Sequence, residues 1–349
     1  MLIDYKLKQL TSSFKACIIS RNITANLRLA GITPRLLKKS ATFCVINIKR
    51  AYHPGNCIQE HVSRKKFSPQ VRKEFDFSAF YRAIRQKGFF LPCDTFLSWF
   101  IGFTEGDGSF VIIKRGKVCI FVITQSCNDR EILYYIQKNL GFGRVHKQGA
   151  RTYRFVVQDR ANLYILFSLF NGNLVFPRQK AQFMRWVEWA GLGSCKKLKN
   201  LEEKDPIIHS EILPSLENGW ISGITDSEGC FTASFLSNSN AFRLRFILSQ
   251  KGDDNLPVLS HLIYLFQGGS IEAHSIKGNY SYILSGVKNC YKIYKYFSLF
   301  SLKSKKRESL HLWKSLHVDI LRKRHLDPNK RSLLSEKAKR INSIKRKSK

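Results

Sequence analysis

Two stretches of the sequence, residues 98–110 and 219–231, place carboxylates before a glycine in the same register. Asp107 is the last acid of the first stretch, and Glu228 is the last acid of the second. Carboxylate oxygens are ligands that suit Mg²⁺, which usually combines one or two of them with retained water molecules. If the two stretches meet in the fold, Asp107 and Glu228 predict a shared metal site that could support hydrolysis by an activated water.

The match between the two stretches extends to residues that carry no charge. The identical pairs are Trp99/Trp220, Gly102/Gly223, Thr104/Thr225, Gly108/Gly229 and Phe110/Phe231. The pairs Glu105/Asp226 and Asp107/Glu228 both keep a carboxylate, but each pairs one Glu with one Asp, so the side chains differ in length. An internal repeat of this kind predicts two structurally equivalent units.

Each motif is predicted to be a helix with two different faces. In the first motif, Phe96, Trp99, Phe100 and Phe103 recur at the spacing of one buried helical face, with Asp94 as a candidate N-cap. The other face has almost no side chains. It consists of Ser98, Gly102 and Gly106 in the first motif and of Gly219, Gly223 and Ser227 in the second. Because each interior glycine costs a helix about 0.5–1 kcal/mol relative to alanine, the pattern predicts that the two small-residue faces pack closely together.

The end of each motif helix indicates why a metal would bind there. Gly108 and Gly229 follow the acids and are predicted to end the helices in a left-handed conformation. The preceding carboxylates, Asp107 and Glu228, then lie at the negative ends of the helix dipoles. Two carboxylates about 5 Å apart repel by roughly 3 kcal/mol at an effective dielectric constant of about 20, and a divalent cation between them would make the arrangement favourable.

Alternating β-prone runs follow both motifs and predict equivalent hairpins. The first pairs residues 109–114 with 118–124 around a turn at 114–117, and its counterpart pairs 230–236 with 242–249. The rest of each unit is predicted to be a helix (129–139; 255–266), a second hairpin that begins at glycines, and two helices that close on Trp186 or Trp313.

Side chains that alternate outward on these hairpins are candidates for reading bases, because a two-stranded ribbon fits the major groove of DNA. A plain solvent-exposed face would explain their polarity but not the excess of arginine. The candidates are Ser109, Ile113, Arg115, Arg144, His146 and Arg154 in the first unit and Thr232, Ser234, Arg243 and Arg245 in the second. Because the two sets differ, the recognised site should be asymmetric.

The charge balance independently indicates a polyanionic partner. The 349 residues include 59 Lys and Arg against 25 Asp and Glu, a net charge of +34 that is unlike that of an ordinary metabolic enzyme. A hydrophobic fraction of 44% is enough for a folded core. No apolar stretch reaches membrane-spanning length, so a membrane partner is not expected. The nine cysteines include no C-x-x-C pair, which argues against a structural zinc site.

The same composition suggests the domain boundaries. Residues 1–90 and 321–349 are rich in Lys and Arg and are predicted to be weakly ordered basic extensions. The two repeats are assigned to residues 91–192 and 211–320, with a charged linker at 193–210. The first segment, poor in acids and rich in Arg, Lys, Ser and Thr, also matches the composition of an organellar transit peptide.

In these residues the sequence resembles the LAGLIDADG homing endonucleases in their two-repeat, single-chain form. The resemblance covers about residues 91–313, and both motifs keep the family's spacing but few of its name-giving letters. It implies an α+β fold of two pseudo-symmetric half-domains, each with a saddle-shaped antiparallel β-sheet backed by helices, with the motif helices packed at the interface. It also implies that Asp107 and Glu228 bind Mg²⁺, whereas Glu105 and Asp226 are structural.

The resemblance implies roles for further polar residues. Gln125 and Gln250 end equivalent predicted strands, where the family has a polar residue that helps to order the attacking water. Lys180 in the first unit, and Lys305 or Lys306 in the second, are candidates for the family's lysine that stabilises the transition state.

The implied function is a Mg²⁺-dependent, site-specific endonuclease that cleaves double-stranded DNA and initiates intron homing. We expect a monomer that binds a long, asymmetric DNA site in an organelle, with the mitochondrion favoured over the plastid. An RNA maturase that assists splicing of a group I intron, with or without DNA cleavage, stays open as the alternative, because the basic extensions exceed what a minimal nuclease needs. A third hypothesis is a DNA-binding regulator without catalytic activity.

Overall fold

The computed structural model of the protein describes residues 70–72, 74–113, 115, 118–192 and 206–343. Most of the predicted N-terminal extension, residues 193–205 of the predicted linker and the last six residues lie outside these ranges. So do residues 114, 116 and 117 of the first predicted turn.

In the described chain each half follows the predicted order of helix, hairpin, helix and hairpin, and is closed by two helices in the first half but by three in the second, where two were predicted. Residues 70–72 and 210–212, for which no strand was predicted, pair as a separate two-stranded parallel sheet. The helices are α1 (Ser78–Arg85), α2 (Asp94–Asp107), α3 (Arg130–Leu140), α4 (Arg160–Phe170), α5 (Pro177–Ala190), α6 (Trp220–Glu228), α7 (Leu256–Leu265), α8 (Val287–Cys290), α9 (Ile293–Leu299), α10 (Lys306–Leu321) and α11 (Pro328–Arg340). The strands are β1 (Gln70–Arg72), β2 (Gly108–Ile113), β3 (Val118–Ser126), β4 (Arg144–Gln148), β5 (Thr152–Val157), β6 (Ser210–Ile212), β7 (Gly229–Phe235), β8 (Phe242–Lys251), β9 (Ser270–Ala273) and β10 (Asn279–Ser285). In the described part of the chain, no helix has both the length and the apolarity needed to cross a bilayer.

Two four-stranded antiparallel sheets form the two halves, with the equivalent strand orders β2-β3-β5-β4 and β7-β8-β10-β9. The register is equivalent as well, because Gly108 pairs with Ile123 and Gly229 pairs with Leu248. Gln125 and Gln250 each lie two residues beyond these partners, so they occupy matching positions. The predicted α+β architecture of two pseudo-symmetric halves is confirmed.

The motif helices α2 and α6 pack against each other between the two halves. Phe96, Trp99, Phe100 and Phe103 are all buried, as predicted, and the buried face of α2 stacks against aromatic side chains of its own half. A second layer of helices covers one face of each sheet: Trp186 of α5 and Trp313 of α10 are buried against it. The opposite face of each sheet, which we call the open face, is left for a partner.

Two local predictions about the motif helices are wrong. Gly108 (φ −79°, ψ 147°) and Gly229 (φ −73°, ψ 152°) are extended rather than left-handed, because each helix runs directly into a strand. Glycine is still required, since a Cβ at Gly108 would lie 2.5 Å from Cγ2 of Thr104. The N-cap position of α2 is Cys93, and Asp94 is the first helical residue, whose carboxylate accepts a hydrogen bond from the Tyr81 hydroxyl.

The predicted boundaries also need correction at both ends. Residues 78–85, assigned to the weakly ordered extension, form α1, which buries Phe80 and Ile84. Asn173 holds the entry to this helix, because its side chain bonds both the N–H and the carbonyl oxygen of Asp76.

At the other end, residues 328–340 of the predicted tail form α11, which packs on α10 and β7. Leu334, Ala338 and Ile341 are buried. Arg331 donates hydrogen bonds to the carbonyl oxygens of Leu236 and three neighbouring residues in the β7–β8 turn.

Candidate active site

The small-residue faces of α2 and α6 pack backbone to backbone, as predicted. A Cβ added to Gly102 would overlap the carbonyl oxygen of Trp220, and one added to Gly223 would overlap that of Trp99. The N–H of Gly219 donates to the hydroxyl of Ser98 at 3.0 Å. Only glycine permits so close an approach, which explains why these helices contain residues that weaken helices elsewhere.

The earlier acid of each motif fixes the register of this helix pair. Glu105 accepts a 2.5 Å bond from the indole N–H of Trp220, and Asp226 accepts a 2.8 Å bond from that of Trp99. Each acid therefore binds the tryptophan of the opposite half. Burial raises the pKa of Glu105 to about 7 and raises that of Asp226, although N–H donors oppose the shift.

The same two acids also hold the chain at the start of each final helix. Glu105 accepts the backbone N–H groups of Val175 and Phe176, just before α5. Asp226 accepts those of Lys303 and Ser304, just before α10. Their structural assignment fits this geometry.

Asp107 and Glu228 lie side by side where the paired helices end. A Cβ at Gly106 would lie 3.0 Å from Cγ of Glu228, so this side chain lies against the residue that precedes Asp107. Burial raises the pKa of Asp107, and burial together with the charge of Asp107 raises the pKa of Glu228. Raised values are expected for two partly desolvated carboxylates that repel each other.

Gln125 contacts one of these acids directly. Its side-chain amide donates to Oδ2 of Asp107 at 2.6 Å. The bond fixes the orientation of the Asp107 carboxylate and leaves its other oxygen available for a ligand. The matching Gln250 lines a groove of about 460 Å³ together with Glu228, and its amide nitrogen is buried without a hydrogen-bond partner in the described structure.

Of the three candidate lysines, Lys306 is the one that reaches the acids. Its ammonium group donates to the carbonyl oxygens of Ser227 (2.6 Å) and Thr225 (3.1 Å) at the end of α6. Burial lowers its pKa, against the opposing attraction of Asp226, Asp107 and Glu228. A lysine held at this point supplies positive charge beside the carboxylates without occupying them.

The structure places the other two lysines elsewhere. Lys180 donates to the carbonyl oxygen of Ser210, away from Asp107 and Glu228, and burial lowers its pKa. Lys305 forms an ion pair with Asp129 of the first half at 3.0 Å. Gln179, which precedes Lys180 on α5, donates through its amide to the carbonyl oxygen of Glu105. The structure therefore does not bring Lys180 to Asp107 and Glu228, which its predicted role would require.

The predicted base-reading side chains lie on the open faces of the two sheets. In the first, His146 pairs with Arg154 across the strands, Ser109, Ile113 and Arg144 share their face, and Arg115 is exposed in the β2–β3 connection. In the second, Thr232 pairs with Arg245 and Ser234 pairs with Arg243. The strand register thus brings each set together on one surface.

Sequence reasoning missed other residues of these faces. Val111, Ile120, Val122 and Val156 share the open face of the first sheet, where apolar side chains could contact thymine methyl groups. On the second sheet, Ser249, Lys251, His274 and Asn279 line the same groove as Glu228. Strict alternation along β8 would have found Ser249 and Lys251, two and four positions after Ile247.

The residues present fit a divalent cation between the two acids. Both carboxylates offer hard oxygen ligands, and within the described ranges neither forms an ion pair with Lys or Arg. No group of three or more His, Cys, Asp or Glu residues forms a metal-binding cluster in the described chain. A site with two carboxylates and retained water suits Mg²⁺.

Comparisons with known proteins agree with this architecture. A family model described as LAGLIDADG endonuclease matches residues 100–190 and 221–317. A probable intron-encoded endonuclease 4 from Neurospora crassa is 38% identical over 266 residues, which are 74% of this chain and 46% of that protein. The intron-encoded RNA maturase bI4 from Saccharomyces cerevisiae is 28% identical over 134 residues, 38% of this chain and 19% of that protein.

The chain spans less than half the length of these two curated relatives. Among solved structures, the LAGLIDADG homing endonuclease I-GzeII in complex with its DNA target has a TM-score of 0.59 and 19% sequence identity, covering 70% of this chain and 98% of that chain. At this identity the similarity supports the fold.

Proposed function

The chain belongs to the LAGLIDADG endonuclease family, and from this premise we propose that it is a site-specific homing endonuclease that hydrolyses both strands of a duplex DNA with Mg²⁺. The observation that carries the proposal is the position of Asp107 and Glu228, one from each half, at the end of two helices whose backbones touch. Two adjacent, partly desolvated carboxylates that repel each other are costly unless they bind a cation.

The roles of the side chains follow from their contacts. Asp107 and Glu228 would hold Mg²⁺, which, when bound, polarises the phosphate and lowers the pKa of a bound water. Gln125 orients the Asp107 carboxylate. Gln250, whose amide N–H groups have no partner in the described structure, would donate to a water or a phosphate oxygen in the groove beside Glu228.

Lys306 would stabilise the negative charge that develops during cleavage. Arg178 and Lys251 line the groove beside Glu228 and would add positive charge for a bound phosphate.

DNA would bind across both open faces, where the cross-strand pairs of Arg and polar residues differ between halves. The target would then be long and asymmetric, and a monomer would suffice to bind it. Because the net charge is +34, affinity should fall about a thousandfold between 50 and 200 mM salt if several phosphates are neutralised. The fungal, intron-encoded relatives support an organelle as the site of action, and we propose that it is the mitochondrion.

The test is cleavage of plasmids that carry the intronless exon junctions of fungal mitochondrial genes. We expect Mg²⁺-dependent cutting by the purified chain, loss of cutting in Asp107→Asn and Glu228→Gln with DNA binding retained, and unchanged cutting in Glu131→Gln. Glu131 is a matched control, because its carboxylate is 59% exposed and its one ion pair among the described residues is with Arg130. Mn²⁺ binding, measured by electron paramagnetic resonance, should weaken in both acid variants. Equal cutting by all three variants would refute the proposal.

A maturase is the second candidate, favoured by the similarity to a relative with that name. Splicing of a host group I intron in vitro would test it. Stimulation of splicing by both wild type and Asp107→Asn, with no cleavage of any junction plasmid, would replace the nuclease by the maturase.

A further inference from the structure

A groove on the helical side of the second half combines aromatic and basic side chains away from the acids. It has a volume of about 520 Å³ and is lined by parts of α7, α9 and α10. The residues that matter are Tyr291, Tyr294, Lys292, Lys295 and Lys314, and we call it the tyrosine–lysine groove.

The ring of Tyr294 is held in place by its neighbours, and the adjacent ring of Tyr291 is accessible to a ligand. The hydroxyl of Tyr294 lies 2.6 Å from Nδ1 of His317, and the Lys314 ammonium lies 5.2 Å above its ring centre. Tyr291 meets this ring edge to face at 5.6 Å and is itself 66% exposed. An exposed aromatic ring held by an ordered neighbour offers a rigid surface for stacking.

The lysines give the same groove a positive charge without local compensation. Within the described residues, Lys292, Lys295 and Lys314 form no ion pair, and no Asp or Glu lines the groove. Lys292 is held at the rim, because its ammonium donates to the carbonyl oxygen of Gln267 at 2.7 Å. Three lysines around an aromatic ring can bind the phosphates of a nucleic-acid strand while one of its bases stacks on the ring.

The groove lies on the opposite side of the half from the open face of the sheet. Ile293, Tyr296 and Phe297 of α9 are buried, and Phe297 packs edge to face against Phe231 and Phe246 of the second sheet. The tyrosine–lysine groove is on the outer side of the same helix. A duplex on the open faces would therefore leave it free.

From this arrangement we propose that the tyrosine–lysine groove binds an unpaired segment of nucleic acid, with a base stacked on Tyr291 and phosphates on the three lysines. A duplex would not fit this chemistry, because its bases are already stacked on each other. The inference stands apart from the proposed cleavage activity, since it needs neither Asp107 nor Glu228.

The test is the binding of labelled single strands of about 12 nucleotides to the full chain, measured by fluorescence anisotropy with excess unlabelled duplex to occupy the open faces. We expect Tyr291→Ala to weaken binding about 5- to 150-fold and Tyr291→Phe to retain it, because stacking needs only the ring. The matched control is Tyr264→Ala, which removes a 77% exposed tyrosine of α7 and should have no effect.

Two further experiments compare RNA with DNA as the ligand and test the contribution of the three lysines. RNA and DNA strands of the same sequence show whether the natural ligand is an RNA or a displaced DNA strand. Replacing Lys292, Lys295 and Lys314 by Ala together should reduce the salt slope for single strands by about two. Equal affinities of Tyr291→Ala, Tyr264→Ala and wild type would overturn the proposal. Because Tyr291→Ala should still cleave duplex targets, failure of the groove and failure of the nuclease give different results.

Discussion

The contact between the motif helices predicts that one methyl group at Gly223 disables the protein. A Cβ there would overlap the carbonyl oxygen of Trp99 and lie 2.7 Å from the backbone nitrogen of Phe103. Ordinary contacts between such atoms are about 3.5 Å. Backbone atoms cannot rotate away, so the two helices would have to move apart by roughly 1 Å.

The size of the effect follows from opposing contributions. Alanine improves helix propensity by about 1 kcal/mol relative to glycine. Overpacking a rigid site costs about 1–3 kcal/mol, and sometimes more, and a clash with backbone belongs at the upper end. We expect Gly223→Ala to lower the free energy of unfolding by about 2 kcal/mol. Because Asp107 and Glu228 sit on the separated helices, a shift of about 1 Å should also reduce cleavage about 10²-fold.

The assay compares Gly223→Ala with the double variant Gly106→Ala/Ser227→Gly in urea unfolding and single-turnover cleavage. A Cβ at Gly106 would meet the side chain of Ser227, so deleting that side chain makes room for it. The double variant keeps one small residue at each contact and should unfold like wild type, whereas its cleavage also depends on how Glu228 adapts, because the new Cβ would lie 3.0 Å from Cγ of Glu228. If Gly223→Ala unfolds and cleaves like wild type, or if the double variant loses as much stability as Gly223→Ala, the packing argument is refuted.

Three further predictions concern single side chains. Lys306→Met should slow cleavage by about 10²- to 10³-fold. It should also move the acid limb of the pH–rate profile to higher pH, because the Lys306 charge lowers the pKa of Asp107 and of Glu228. Lys305→Met should have little effect on the cleavage rate or on the pH–rate profile. Burial raises the pKa of Glu105 from 4.5 to about 7. The stability that this shift contributes is therefore present below about pH 4.5 and is lost as the pH rises through 7. In urea unfolding across pH 4–8, Glu105→Gln should remove this decrease of stability with pH. Arg331→Met should lower the free energy of unfolding by about 2 kcal/mol and increase hydrogen exchange in the β7–β8 turn. Lys330→Met, which breaks an exposed ion pair with Asp327, should do neither.

The parts of the fold that the sequence predicts are those with strict spacing. The buried stripe from Phe96 to Phe103 and the glycines opposite it lie on one helix, so their geometry follows from the helical repeat alone. The hairpins follow from alternation, and Gln125 and Gln250 match because each is the second-to-last residue of the second strand of its hairpin. These features depend on neighbours along the chain rather than on tertiary contacts.

The features that the sequence does not predict depend on packing between distant segments. Lys180 and Gln179 are adjacent on α5, and only the rotation of that helix decides which of them faces the motif. The basic character of α11 concealed a signal that was present: Leu334, Ala338 and Ile341 have helical spacing behind an Asp327 cap. A charge run can still contain a buried face, and its apolar positions identify it.

The motif helices combine several features that are each unfavourable for stability, and the site explains why they occur together. Glu105 and Asp107 are two residues apart and therefore point to different sides of α2, one toward Trp220 of the other half and one toward the metal position. The buried bond of Glu105 to Trp220 sets how far α2 can slide along α6, and the glycine contacts set how closely the two approach. Both the position of α2 along α6 and the distance between the two helices must be fixed for Asp107 to meet Glu228. The buried acid, the glycines and the repelling carboxylates thus serve one requirement, which is to hold two oxygen ligands from separate halves within reach of the same ion.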